Sequence, residues 1–206
     1  MPFNPNIKKI QQDLGLVDDG LRGPITDGAI LKAASDGRLA VVKSPQGKAF
    51  DAPDYNGLVR VFGEAGGRDC TSGRVILPFE FRLAWDFDQK IKVIACHKLI
   101  AENLSKIWND TAQHYGEKRF RELGLDLYGG CFNYRPMRGS SKLSTHAWGI
   151  AVDVDPERNQ LSWDHNRATL AREEYIPFWN IVEANGAYSL GRTKNYDWMH
   201  FQFCKP

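Results

Sequence analysis

No run of apolar residues in this chain approaches the roughly 20 that a membrane-spanning helix needs, and neither sign of charge dominates. Lysine and arginine number 27 against 25 aspartates and glutamates, a formal net charge of +2 over 206 residues. A dedicated nucleic-acid binder normally carries a strongly basic face, so that class is set aside, and no membrane partner is expected. No internal repeat or low-complexity tract is found. The opening residues, Met1-Pro-Phe-Asn-Pro-Asn, lack a basic region followed by an apolar stretch. A signal peptide is therefore not expected, and the chain is read as made in the cytoplasm. Cysteine is sparse: Cys70, Cys96, Cys131 and Cys204 form no C-x-x-C pair. Two disulfides are arithmetically open, but free thiols are the expectation, with Cys96 and Cys131 as small core hydrophobes.

What is present is core-forming material. Hydrophobic residues make up 42% and aromatics 12%, which excludes wholesale disorder and suits one medium domain with a small appendage. Residues 1–42 read as a short helical segment: Ile7, Ile10, Gln11 and Leu14 recur at helical spacing, and Thr26 can cap a second helix with Ala29, Ile30 and Ala33. Residues 43–72, rich in Gly, Pro and Asp, read as linker and loops. Residues 73–206 read as the main domain. A long helix is expected from Ile91 to about Tyr115 and another over Ala168–Ala184. Short strands are expected around Leu125–Tyr134, Gly149–Val154 and Trp198–Phe203. Helices and strands without βαβ alternation predict an α+β domain on a small antiparallel sheet.

Two short stretches carry the chemistry. In Ser144-Thr-His-Ala-Trp-Gly-Ile-Ala-Val-Asp153, strand alternation places Ile150, Val152 and Val154 on a core face. Gly149, Ala151 and Asp153 fall on an opposite face of small residues that ends in a carboxylate, and His146 lies just upstream on a loop. In Asp197-Trp-Met-His-Phe-Gln-Phe203, alternation puts Met199, Phe201 and Phe203 on one side and Trp198, His200 and Gln202 on the other. Two imidazoles and a carboxylate are a suitable donor set for zinc with a position left for water. Strict alternation would send Asp197 to the wrong side, so a turn or bulge is required at the start of that strand. His97, His114 and His165 have no partner at ligand spacing and read as structural.

The two patterns, S-x-H-x-x-G-x-A-x-D and D-x-x-H-F-Q, resemble those of the VanY-like M15 zinc peptidases. That family comprises D-alanyl-D-alanine carboxypeptidases and L-alanyl-D-glutamate endopeptidases. The segment Cys131-Phe-Asn-Tyr-Arg-Pro-Met-Arg-Gly-Ser140 resembles the Tyr-Arg stretch that precedes the first motif in the family. Leu77-Pro-Phe79, Arg82-Leu-Ala-Trp-Asp86 and Cys96-His97 resemble an upstream region of its phage-type members. The resemblance implies a Hedgehog/DD-peptidase-like zinc fold, with Zn2+ held by His146, Asp153 and His200 and with Asp197 as the catalytic carboxylate. It also implies Arg135 as the substrate and transition-state arginine, Arg138 as its competitor, and Arg138 and Ser144 as substrate-binding groups; Glu183 is a second acidic candidate.

Ile10-Gln-x-x-Leu-Gly15 followed by Asp19-Gly-x-x-Gly-Pro24 resembles the small peptidoglycan-binding repeat found beside cell-wall hydrolases. The implied partner is bacterial peptidoglycan, the implied state a monomer. The implied role is a phage endolysin that leaves the host cytoplasm through a holin-made lesion and cuts the L-alanyl-D-glutamate bond. A D-alanyl-D-alanine carboxypeptidase is the alternative. A non-catalytic zinc protein of Hedgehog-like type is a further one, although a purely structural zinc has no use for Asp197.

Overall fold

A computed structural model describes residues 50–206; the helical segment expected over residues 1–42 lies outside them. The described residues form an α+β domain on one six-stranded sheet: β1 (Gly73–Leu83), β2 (Asp86–Cys96), β3 (Leu127–Gly130), β4 (Ala151–Val154), β5 (Tyr188–Ser189) and β6 (His200–Gln202). The sheet order is β2-β1-β3-β4-β6-β5. Its helices are α1 (Leu58–Phe62), α2 (Ala101–Glu122, kinked at Gly116), α3 (Ile176–Ala184) and α4 (Leu190–Lys194). None of the described helices is long and apolar enough to cross a membrane.

Four expectations are corrected. The expected helix from Ile91 starts ten residues late, at Ala101, because Asp86–Cys96 pairs with β1 as a hairpin. Its alternation, with β-branched Ile91 and Val93, favours a pleated strand. His97 then ends the strand and accepts the Leu99 N–H on its Nδ1 at 3.2 Å, which opens the helical segment. The sheet is mixed rather than antiparallel: β1 and β3 run parallel through Arg82↔Leu127 and Leu83↔Tyr128, and the other pairs are antiparallel. Parallel neighbours need a long crossover, which the hairpin and α2 together supply. Residues 50–72 are not a bare linker, since Leu58, Phe62 and Cys70 are fully or almost fully buried in the core. The expected helix over Ala168–Ala184 is two 3-10 turns followed by α3, which begins at Ile176-Pro177, where proline's fixed φ and missing N–H suit a first turn.

The core lies between the sheet and α2. Val75, Leu77 and Phe81 of β1 meet Leu104, Ile107, Trp108 and Phe120 of α2 in one buried cluster. Phe201 of β6 joins it, its ring centroid 6.0 Å from Trp108 and 6.2 Å from Phe178. Each such side chain, fully buried, contributes about 1.5–3 kcal/mol of transfer free energy. The expected free thiols are found: all four cysteines are unbridged and buried.

Candidate metal centre

β4 and β6 build the site between them. Their register pairs Ala151 with Gln202, Val152 with Phe201 and Asp153 with His200. Val152 and Phe201 are fully buried in the core, so period-two alternation turns Asp153, His200 and Gln202 to the opposite face. Next to it, Gly130 is the register partner of Asp153 on β3. A Cβ on Gly129 would lie 2.9 Å from the Asp153 Cβ, so that position has no room for a larger residue.

His146 arrives on a 3-10 turn, Thr145–Trp148, whose first N–H groups need a cap. Ser144 supplies it, its Oγ accepting the His146 N–H at 3.4 Å. The turn ends at Gly149, with φ +65°, where a Cβ would sit 2.0 Å from the Cys70 carbonyl oxygen. Only glycine fits both the dihedral and the space. Ser144, expected to bind substrate, is buried and serves as this cap.

The three side chains converge. His200 Nδ1 lies 2.9 Å from Asp153 Oδ1 and 3.2 Å from His146 Nε2, and His146 Nε2 lies 3.3 Å from Asp153 Oδ1. The outward nitrogens are committed elsewhere. His146 Nδ1–H donates to the Cys131 carbonyl at 2.7 Å, and His200 Nε2–H donates to Gln202 Oε1 at 3.0 Å. When neutral, each imidazole therefore turns a lone pair toward the other and toward a carboxylate. Three acceptors at such distances repel one another unless a cation lies among them. A divalent metal fits that donor set, and two imidazoles with one carboxylate are ligands that zinc accepts. His146, Asp153 and His200 are the cluster of the described residues able to hold a metal ion.

The electrostatics agree. Burial alone would raise the Asp153 carboxyl, but the charges and hydrogen bonds of His146 and His200 outweigh it and hold its pKa well below the usual range. Burial would lower the His200 pKa, yet the hydrogen bond and charge of Asp153 raise it instead. Both shifts express the same demand for positive charge between the groups.

Asp197 stands immediately before β6. The required turn exists: Asn195 and Asp197 both adopt left-handed backbone, with φ of +56° and +54°. The Asp197 carbonyl accepts the His200 N–H at 3.0 Å. Its Oδ1 is buried without a hydrogen-bond partner, so a water or substrate group is wanted there. Burial pushes its pKa up to about 6, with Asp153 adding to the rise and His200, His146 and Arg135 opposing it.

Arg135, whose charge acts on Asp197, is half-buried and donates through Nη1 to the Pro136 carbonyl at 3.2 Å. Arg138 is exposed in the same loop. Glu183 is on α3 and is ion-paired with Arg192 at 3.1 Å. His97 holds the Phe62 carbonyl at 2.9 Å, His165 contacts Asn195, and His114 on α2 packs against the Tyr115 ring.

With this geometry in place, comparison with known proteins adds one match. Residues 138–203 match the family model of the D-alanyl-D-alanine carboxypeptidases of peptidase family M15. The matched segment is about a third of the chain and includes His146, Asp153, Asp197 and His200, while Arg135 precedes it. It supports a metallopeptidase that acts on peptidoglycan. No curated protein and no solved structure matches the chain.

The groups that hold the ligands, the Cys131 carbonyl, Thr145 and Gln202, are not among the residues that the sequence singles out. Gln202 carried a signal, since it is two residues beyond His200 and must share its face. A backbone carbonyl has none.

Proposed function

We propose that the protein is a zinc-dependent peptidoglycan hydrolase that cuts the L-alanyl-D-glutamate bond of the stem peptide, in the manner of a phage endolysin. His146 Nε2, Asp153 Oδ1 and His200 Nδ1 would hold the metal. The observation that carries the reading is the convergence of these three atoms within 3.3 Å, which turns three lone pairs toward one point when both imidazoles are neutral. A bound zinc ion would polarise the scissile carbonyl and make water a better acid.

The chain's own residues do the rest. Asp197, with a pKa near 6, is mostly ionised at neutral pH and takes a proton on its unpartnered Oδ1 as water adds to the carbonyl carbon. It returns that proton to the amine nitrogen as the C–N bond breaks. The carbonyl oxygen gains negative charge as water adds, and Arg135, always protonated and with donors to spare, faces that charge.

The choice of bond rests on the wall-binding resemblance of residues 1–42. Cutting the stem severs crosslinks, whereas trimming a terminal D-alanine leaves the mesh whole. The description of the matching family favours the second reading, a D-alanyl-D-alanine carboxypeptidase. Incubating purified walls with and without a chelator tests the enzyme, and mass spectrometry of the digest tests the bond. New N-terminal D-glutamate is the expected product. Free D-alanine alone would transfer the assignment to the carboxypeptidase, and chelator-insensitive clearing would end the zinc reading.

A further inference from the structure

The two ligand histidines reach the metal through opposite ring nitrogens, and each must carry its proton on the other one. For His146 the fold decides directly, because a backbone carbonyl, that of Cys131, can only accept and so keeps the proton on Nδ1. For His200 no backbone acceptor faces the outward nitrogen. A side-chain amide does, and an amide can turn either end to it. With its oxygen toward His200 it keeps the proton on Nε2 and leaves Nδ1 open. Reversed, it would donate to Nε2 and drive the proton to Nδ1, where it would hydrogen-bond Asp153 and occupy the metal's place.

What selects the end is one bond further out. The Gln202 amide nitrogen donates to the Cys204 carbonyl at 3.0 Å, and its Oε1 also accepts the Thr145 hydroxyl at 3.0 Å. The Cys204 carbonyl cannot face an amide oxygen, so the amide is locked with Oε1 toward His200. Gln202 is buried, with 6% of its surface exposed, which leaves bulk water little access to replace either bond. Both tautomers are thus written by backbone carbonyls, one by contact and one relayed through a side chain.

We propose that Gln202 is a positioning residue that sets the tautomer of His200 and thereby the affinity of the site for its metal. This rests on His146, Asp153 and His200 being the ligands. Removing an outer partner of a ligating histidine typically costs about 10–100-fold in metal affinity. Gln202→Leu removes the acceptor and should weaken zinc binding by about that factor in competition with a chelator of known affinity. Gln202→Glu keeps an acceptor toward His200 but sets its other oxygen against the Cys204 carbonyl, so it should lose less zinc affinity than Gln202→Leu while lowering stability. Thr145→Val should cost only a few-fold, because the Cys204 carbonyl still orients the amide.

Melting of the metal-free variants separates positioning from packing: a packing role lowers Tm and leaves zinc affinity alone. Unchanged affinity in Gln202→Leu, or an equal loss in Gln202→Glu, would overturn the proposal. Should the leucine variant not fold, long-range 1H–15N spectra of the zinc-loaded parent decide. A proton on His200 Nε2 is expected, and one on Nδ1 refutes the assignment. Failure of the parent to bind zinc would instead defeat the metal centre itself.

Discussion

The hairpin at one end of the sheet and the pair of strands that carries the site are built on different terms. β1 and β2 have 11 residues each, and much of the hairpin faces outward, with Ile76 74% and Val93 47% exposed although they are register partners. β4 and β6 have four and three residues, and all but Asp153 are buried. The long strands can rely on their own ladder and alternation. Strands as short as β4 and β6 cannot, so their geometry comes from what surrounds them: a glycine-ended turn, two left-handed residues, and hydrogen bonds that end on the Cys131 and Cys204 carbonyls. Precision at the site is tertiary in origin.

Removing ligands should have the largest effect. His146→Ala or His200→Ala should take the protein from one zinc per chain to almost none, with loss of detectable hydrolysis, by metal analysis and wall-clearing assay. His97→Ala should keep its zinc, because that ring is committed to Phe62 and Leu99. Full occupancy in either ligand variant would dissolve the assignment. Next in size is Asp197→Ala, which leaves the three ligands in place. Turnover should fall by about 100-fold or more with zinc retained, the usual worth of a positioned acid–base group. Arg135→Ala should cost more turnover than Arg138→Ala, since the Arg135 charge acts on Asp197.

The two halves were also unequally legible. Alternation puts Asp153 and His200 on faces turned from the core, and the resemblance of the two motifs joins them with His146 and Asp197; the fold brings His146, Asp153 and His200 together. The hairpin is misread because Ile94, Ala95, Lys98, Leu99, Leu104 and Ile107 fall near one helical stripe, while Ile94 and Cys96 also fit a strand's period of two, and short apolar patterns do not separate the two. What decides between them is the partner strand β1, which is a long-range fact. The parallel β1–β3 contact was hidden for the same reason, since it follows only once the hairpin is known. The resemblance implies Ser144 as a substrate-binding group, and in the fold its hydroxyl accepts the His146 N–H of the turn that it caps. The polar relay through Gln202 and Thr145 needed coordinates, because both of its ends involve backbone carbonyls.

A smaller effect sharpens the contrast in stability. Gly149→Ala forces a Cβ against the Cys70 carbonyl at a left-handed dihedral, so it should cost about 3 kcal/mol or more in urea unfolding and disturb zinc binding with it. Ile76→Thr, on the open face of the hairpin, should change stability by no more than about 0.5 kcal/mol. Equal effects would mean that the site is no more finely held than the hairpin.

Burial of Asp197 makes the stability of the fold depend on pH. Its carboxyl is almost fully buried, and its pKa is pushed from 3.8 to about 6 chiefly by burial. A folded-state pKa above the unfolded one means that the fold binds the proton more tightly than the unfolded chain does. Stability from this group is therefore fully present below about pH 4 and is lost as pH rises through about 6. Asp197→Asn cannot ionise and escapes that loss. In chelator, the variant should match the parent near pH 4 and exceed it by about 2 kcal/mol at pH 8, from about two pKa units at 1.4 kcal/mol each less relaxation. His146, Asp153 and His200 are present in both proteins, and Asp197 acts on the His200 pKa less than Asp153 does, so the difference is mainly that of Asp197. Urea midpoints at the two pH values measure it. A gain that is the same at both would show that the amide merely packs better. No gain at pH 8 would show that the carboxylate is solvated, and it would remove the reason for a raised pKa in the proposed base.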